Sequence, residues 1–268
     1  MIKTLNTTKW LLYHLPTFIQ DSSCVPIDEI PEEINRLKLF DKILVSSSSF
    51  IKYCHAIYPP EIIRKMVPIL PGRNFELTEM PKREKKGTIS RILSIGTICK
   101  RKGQKRLVEA LAQIREQDWK LILIGNTSRH PQEVKEIKQL MKKHNLKISI
   151  RRNVSEVEKV KELQSADIFA LPTCFETFGI ALQEAMEFGL PIVTGNHMIL
   201  RDWIGQNNAI FVDPLSPVEI QQGLRLLLED STLRTKLGQA AFRKVLDQNN
   251  WDETQESFLQ LLGKEGLT

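Results

Sequence analysis

The sequence predicts an α/β chain dominated by a doubly wound parallel sheet, and three observations carry that prediction. From residue 91 onward, short apolar runs alternate with segments of helical spacing. The runs are almost continuously apolar, as strands covered on both faces must be. Regular strand–helix alternation with strands of this kind points to parallel neighbours joined by crossover helices. In such sheets ligands bind at the carboxyl ends of the strands, so the residues just after each run matter most.

Taken in chain order, residues 1–75 form a smaller unit. Stretches 9–14, 42–46 and 65–69 read as strands, with helical stretches at 30–39 and 48–57, which makes a partial α/β domain. Residues 76–88, including the charged run Lys82-Arg-Glu-Lys-Lys86, form a polar linker. The main domain, 89–245, carries strands at 91–97, 120–125, 147–150, 166–171, 191–194 and 209–212. Helical segments lie at 103–116, 131–144, 155–164 and 178–188, and Leu107, Leu111 and Ile114 make one apolar stripe. Pro131 suits a first helical turn, Ser155 with Glu158 forms a capping box, and Gly189 before Pro191 stops a helix. Helices at 216–229 and 231–247 close the domain. Residues 246–268 are a helical tail with an amphipathic segment at 251–262.

Composition is ordinary for a globular protein, 41% hydrophobic and 26% charged over 268 residues. No apolar run approaches the roughly 20 residues of a membrane-spanning helix. The start, Met1-Ile-Lys-Thr-Leu-Asn6, lacks the order of a secretory signal, so a cytoplasmic location is expected. Cys24, Cys54, Cys99 and Cys174 show no metal spacing and read as reduced thiols, with no metal site. The net charge of +6 is uneven: residues 82–161 hold 22 Lys/Arg against 8 Asp/Glu, and 162–268 hold 7 against 15. A basic half can attract phosphates or the anionic inner face of a membrane, where a peripheral position would follow. It can also simply line solvated helix faces. Aromatic residues do not interleave with the basic run as base stacking requires, so nucleic acid is not an expected partner.

The most informative local pattern is Glu176-Thr-Phe-Gly-Ile-Ala-Leu-Gln-Glu184, two acids at the passage from a strand through a short loop into a helix. Amides at Phe178, Gly179 and Ile180 open that helix, which suits a ligand with both phosphates and hydroxyls, such as a sugar nucleotide. Glu176 also reads as a helix cap, and Glu184 as a solvated face residue. Gly179, which admits a ligand close to the backbone, moves the pair toward a site. Gly96 ends the first strand of the main domain, and Lys100-Arg101-Lys102-Gly103 opens the next helix. Lys102 is placed there to neutralise a diphosphate, or is a solvated basic turn.

In their order these pieces resemble the group 1 retaining glycosyltransferases, the family 4 enzymes of the GT-B fold. The resemblance rests on Ser94-Ile-Gly96, Arg101-Lys-Gly103, Leu121-Ile-Leu-Ile-Gly125, Ala166-Asp-Ile-Phe-Ala-Leu-Pro-Thr173, the two-acid segment, Glu184-Ala-Met-Glu-Phe-Gly-Leu-Pro191 and Phe211-Val-Asp-Pro214, and spans about residues 88–245. It implies a Rossmann-like nucleotide-sugar-binding domain, with a shortened acceptor-side half in residues 1–75. It implies transfer of a hexosyl group from a UDP- or GDP-sugar to a sugar, lipid-linked or protein-linked acceptor hydroxyl, with retention, without a metal and with no other cofactor. By position, Glu176 would contact donor-sugar hydroxyls, Glu184 the ribose, Phe178, Gly179 and Ile180 the diphosphate, and Lys102 the leaving phosphate. His14 resembles the histidine that faces the donor sugar across the cleft, and also reads as a strand-end residue without chemistry. Gly96, Thr97, Lys100 and Arg101 complete the expected donor-binding set.

Departures from the family pattern sharpen the expectations. Thr97 stands where the family has arginine, which leaves one phosphate contact to Lys100 or Arg101. Met198 and Ile199 replace a Gly-Gly pair in a segment read as a loop, and their bulk is expected to reshape the pocket. His197 beside them reads as a satisfied polar residue. About a hundred residues of a complete N-terminal half are not matched, so exposed sheet edge is expected. The alternative is therefore a non-catalytic or partner-dependent nucleotide-sugar-binding subunit, completed by a second chain.

Overall fold

The computed structural model describes residues 8–14, 16, 30–75, 77–81, 89–115 and 118–264. The smaller unit is a three-stranded parallel sheet ordered β1 (Trp10–Tyr13), β2 (Lys42–Val45), β3 (Met66–Pro68). Its helices are α1 (Ile30–Lys38), α2 (Ser48–Cys54) and α3 (Pro60–Ile63). The main unit holds β4 (Ser90–Ile95), β5 (Trp119–Ile124), β6 (Ile148–Arg151), β7 (Ile168–Leu171), β8 (Ile192–Gly195) and β9 (Ile210–Val212). Between and after them come α4 (Gln104–Leu111), α5 (Pro131–His144), α6 (Glu156–Ser165), α7 (Ile180–Glu187), α8 (Met198–Ile204), α9 (Pro217–Glu229), α10 (Ser231–Leu246) and α11 (Trp251–Lys264).

All pairings in the larger sheet are parallel, in the order β6-β5-β4-β7-β8-β9. The chain winds outward from β4 in one direction and from β7 in the other. Between β4 and β7 the crossovers diverge and open a crevice at the carboxyl ends of the strands. The doubly wound sheet is thus present, and its strands lie within two residues of their predicted positions. The capping box of Ser155 and Glu158 is formed, and Gly189, at φ +61°, follows α7.

Three predictions change. The helices expected over 48–57 and 103–116 end at Cys54 and Leu111. The segment after β8, read as a loop, is the seven-residue helix α8, too short to show an apolar period; His197 caps it by accepting from the Ile199 amide at 3.3 Å. The linker's charged run and Cys24 lie outside the described residues.

The core explains how the two units meet. One apolar cluster runs from Tyr13, Phe50 and Tyr58 of the smaller unit through Phe175 and Phe178 to Leu182, Met186 and Val245. The second, on the other face of the larger sheet, joins Leu107, Leu111, Ile137 and Leu224. Each such side chain contributes about 1.5–3 kcal/mol on burial, so the first cluster fastens the smaller sheet to the segment that carries Glu176. The predicted tail, as α11, also reaches the smaller unit: Trp10 meets Phe258 edge-on, and the Thr254 hydroxyl donates to the Leu70 carbonyl at 3.0 Å. Among the described residues no helix is long and apolar enough to cross a membrane.

Candidate functional site

After Gly96 the chain passes through a 3₁₀ turn, Lys100–Lys102, into α4 by way of Gly103. Gly103 has φ +76°, and a Cβ there would stand 2.2 Å from the Pro172 carbonyl oxygen. Only glycine lets this turn sit against the end of β7. Gln104 braces the loop from α4, donating to the carbonyls of Gly96 at 3.3 Å and Thr97 at 3.1 Å. Across the crevice the loop is stitched to the segment after β7. The Cys174 amide donates to the Arg101 carbonyl at 2.7 Å, and Arg101 Nη1 donates to the Phe175 carbonyl at 2.8 Å.

Glu176 sits in that seam, 7% exposed. Its Oε1 accepts from Lys102 Nζ at 2.5 Å and lies 3.8 Å from Arg101 Nη1. Burial alone would raise the carboxyl's pKa, but the charges of Lys102 and Arg101 outweigh it and hold the group below the ordinary carboxylate range. Glu176 is therefore an anion at neutral pH, able to accept hydrogen bonds and to position Lys102, not to donate a proton. Of the two residues expected to replace the absent arginine, Arg101 reaches this acid and Lys100 is exposed.

Gly179, at φ +96°, leads into α7. The amides of Leu182 and Gln183 return to the Gly179 carbonyl, whereas those of Phe178, Gly179 and Ile180 have no acceptor among the described residues. These amides form the positive end of the helix, beside Glu176. Glu184, in the second turn, is 4% exposed. Its Oε1 accepts from Lys159 Nζ of α6 and from Asn74 Nδ2, both at 2.6 Å, while Oε2 has no partner among the described residues. Burial pulls the Lys159 pKa down, yet hydrogen bonds to Glu184 and Glu156 leave it above the ordinary value. Asn74 is itself held by Trp251 Nε1 at 2.9 Å and, through its amide, by Glu187 at 3.1 Å.

His14 is brought to the same place. Its carbonyl accepts from the Thr177 hydroxyl at 2.9 Å, and Ser47 Oγ donates to the Thr177 carbonyl at 2.9 Å, so the smaller sheet pins the loop between the acids. His14, Thr97, Cys99 and Arg101 line a cleft of about 970 Å³ between the two units. His197 is half-buried against Phe175, with ring centroids 4.8 Å apart. Burial pushes its pKa down to about 4 despite the pull of Glu176, so it is neutral at pH 7. Of the pair whose bulk was expected to reshape the pocket, Ile199 goes into the core and Met198 is 45% exposed.

The sequence reading missed Gln104, Lys159, Asn74 and Thr177. Gln104 and Lys159 carried a usable signal, since each is a polar residue on the apolar face of its helix, three or four positions before Leu107 and Leu163. Asn74 and Thr177 lie in irregular segments where no period exists to be broken.

Residues 76–244 match the family described as glycosyl transferases group 1. An uncharacterized glycosyltransferase of Methanocaldococcus jannaschii is 29% identical over 163 residues, 60% of this chain and 41% of that protein. The chain spans about two fifths of the length of the curated relatives it matches. Sucrose-phosphate synthase from Thermosynechococcus elongatus superposes with a TM-score of 0.79 at 20% identity, over 96% of this chain and 67% of its own. Anabaena HepE, solved with UDP-glucose, superposes at 0.78 with 16% identity, over 94% of this chain and 72% of its own. The two α/β units facing one another across a cleft are the GT-B arrangement.

Proposed function

This chain belongs to the group 1 glycosyl transferases, and we propose that it binds a nucleoside diphosphate sugar in the crevice between β4 and β7. The sugar is passed to an acceptor hydroxyl with retention of anomeric configuration. The observation that carries this assignment is a single carboxylate, Glu176, held by two cations beside three amides that lack an acceptor.

In glycosyl transfer the bond from the anomeric carbon to the diphosphate lengthens, charge collects on the departing phosphate, and the ring becomes oxocarbenium-like. Lys102, Arg101 and the amides of Phe178, Gly179 and Ile180 are fixed donors for that charge, so they favour the transition state over the ground state. They also supply what a divalent metal would supply, and the reaction is assigned as metal-independent. Glu176 accepts from the sugar hydroxyls while keeping Lys102 in place. Glu184, with Oε1 already held, offers Oε2 to the ribose. His14 faces the sugar from the other wall. The acceptor oxygen bonds to the anomeric carbon on the face the diphosphate leaves, and its proton passes to the departing phosphate oxygen. UDP is favoured over GDP by the likeness to HepE.

Thermal-shift titration with UDP-, GDP- and ADP-sugars tests the donor site, since a ligand at 100 times its Kd stabilises by about 2.7 kcal/mol. No shift with any of them would overturn it, and a transfer rate abolished by EDTA would overturn metal independence. A second function has its own support: Leu12 is 70% exposed on β1, which is an edge strand of the smaller sheet among the described residues. A partner-dependent donor-binding subunit is the proposal if donor binds without turnover until a second chain is added. On α5, Lys135, Lys138 and Lys142 form an exposed stripe, which supports peripheral contact with an anionic cytoplasmic membrane face. Salt-sensitive binding to phosphatidylserine vesicles is expected there, and equal binding to neutral vesicles would remove that proposal.

A further inference from the structure

We propose that the backbone amide of Thr97 is a further donor to the diphosphate, and that the buried side chain of Gln104 is the positioning residue that aims it. This rests on the donor assignment above: the absent arginine leaves one phosphate contact unmet, and the amide supplies it. Gln104 opens α4 and is 1% exposed. Buried amides find hydrogen-bond partners, and this one spends both of its functions on one short loop. Its Nε2 donates to the Gly96 and Thr97 carbonyls at 3.3 and 3.1 Å, and its Oε1 accepts from the Cys99 amide at 3.4 Å. Two consecutive carbonyls are thereby turned inward, toward α4. Gly96, at φ +151°, has a backbone conformation that residues with side chains rarely adopt, so glycine permits this turn.

Each inward carbonyl fixes the amide that follows it. In a trans peptide the C=O and the next N–H point in opposite directions within one plane, and the described residues have no cis bond. Turning the Gly96 carbonyl to Gln104 therefore sends the Thr97 N–H the other way, out from α4. Turning the Thr97 carbonyl does the same for the Ile98 N–H, which is met by the Asn126 carbonyl at 3.1 Å. The Thr97 N–H meets no acceptor among the described residues. Thr97 is half-buried and lines the cleft, so its amide is presented to a ligand rather than to the core. The Lys102 stem runs past the same point: a Cβ built on Gly96 would lie 3.7 Å from its Cδ and Cε. β4 and β7 are neighbours in the sheet, so the Thr97 amide follows one strand and the Phe178, Gly179 and Ile180 amides follow the other. An anion entering between them is met from both sides, with Lys102 alongside. A neutral N–H lacks the charge of an arginine, but its hydrogen bond to a phosphate oxygen is charge-assisted, and a fixed amide needs no reorganisation to make it.

The test is an amide NMR titration of the full chain with UDP, GDP and ADP and with their bare nucleosides, with calorimetry in parallel. The Thr97 amide proton is expected to move downfield with the diphosphate that binds and to stay in place with its nucleoside. Gln104→Leu keeps a side chain of similar size and removes the hydrogen bonds to Gly96, Thr97 and Cys99. It is expected to weaken that diphosphate about tenfold, the worth of a hydrogen bond to a charged group, while the nucleoside stays within about twofold of the parent. The Thr97 shift is expected to vanish in the same variant. A Thr97 amide that does not respond to a bound diphosphate in the parent overturns the proposal, whatever the variant does. Equal weakening of diphosphate and nucleoside by Gln104→Leu reduces Gln104 to a structural brace and overturns it too, as does no weakening at all. If none of the diphosphates binds the parent, the donor assignment itself fails, and the amide has no phosphate to receive.

Discussion

Glu176 and Glu184 are two nearly buried carboxylates on one short segment, each gripped by a lysine at 2.5 or 2.6 Å, yet they are assembled from different parts of the molecule. The partners of Glu176, Lys102 and Arg101, come from one turn that backbone hydrogen bonds and Gly103 lock against the end of β7. The partners of Glu184 come from α6 and from Asn74, in the stretch joining the two sheets, and Asn74 is fastened in turn to Trp251 of α11. One acid is thus fixed by the sheet itself. The other is held by α6 of the same unit and by Asn74 of the joining stretch, so one of its two donors depends on how the units are joined.

The roles separate accordingly, and the largest effect is expected at the rigid acid. Glu176→Gln leaves Lys102 without its anion and removes a charged acceptor for the sugar. The transfer rate is expected to fall about 10²–10³-fold, as for loss of a fixed transition-state contact, with UDP affinity within about threefold of the parent. Glu184→Ala is expected to invert that pattern: UDP affinity drops about 10–100-fold, the worth of a hydrogen bond to a charged group, while turnover at saturating donor changes less. Initial-rate kinetics with calorimetric UDP titration read both. If the two substitutions lowered the same parameter by the same factor, the acids would share one role and the distinction would be gone.

Asn74→Ala probes the weaker link. It removes one of two donors from Glu184 Oε1 and unties Trp251, so UDP affinity is expected to fall by about threefold and stability by about 1 kcal/mol. A stability loss with no change in UDP affinity would show that Asn74 only tethers the chain and does not orient the acid.

The same contrast explains what the sequence could announce. The Glu176 half of the site was legible because its parts are local: a glycine-ended turn after one strand, a carboxylate after another, and a glycine opening a helix, in an alternation that forces both strands into one sheet. Arg101 against Lys100 could not be decided from spacing, because the choice depends on how the 3₁₀ turn rotates successive side chains. The Glu184 half was legible only as a carboxylate on a helix. Lys159 and Asn74 lie 25 and 110 residues away from it, and no periodicity links positions that meet only after α6, α7 and the joining stretch have packed. Helix α8 was missed for a related reason, since seven residues capped by a histidine leave little local signal.

The smallest expected effect concerns Glu187, one turn beyond Glu184, which accepts from the Asn74 and Phe75 amides at 3.1 and 2.8 Å. Burial pushes its pKa up to about 7 from an ordinary 4.5, against the opposing pull of those amides and of Arg73, with Glu184 adding to the rise. Between these two values the folded chain holds a proton that the unfolded chain has released. The stability this proton contributes is present below the unfolded pKa and is lost as pH rises through about 7. One such group can add a slope of at most about 1.4 kcal/mol per pH unit. Urea midpoints measured from pH 4.5 to 8 should therefore fall more steeply for the parent than for Glu187→Gln, which cannot titrate. Parallel pH profiles for the two proteins would mean that Glu187 ionises as it does in the unfolded chain, and that the clamp on Asn74 is already charged throughout the range.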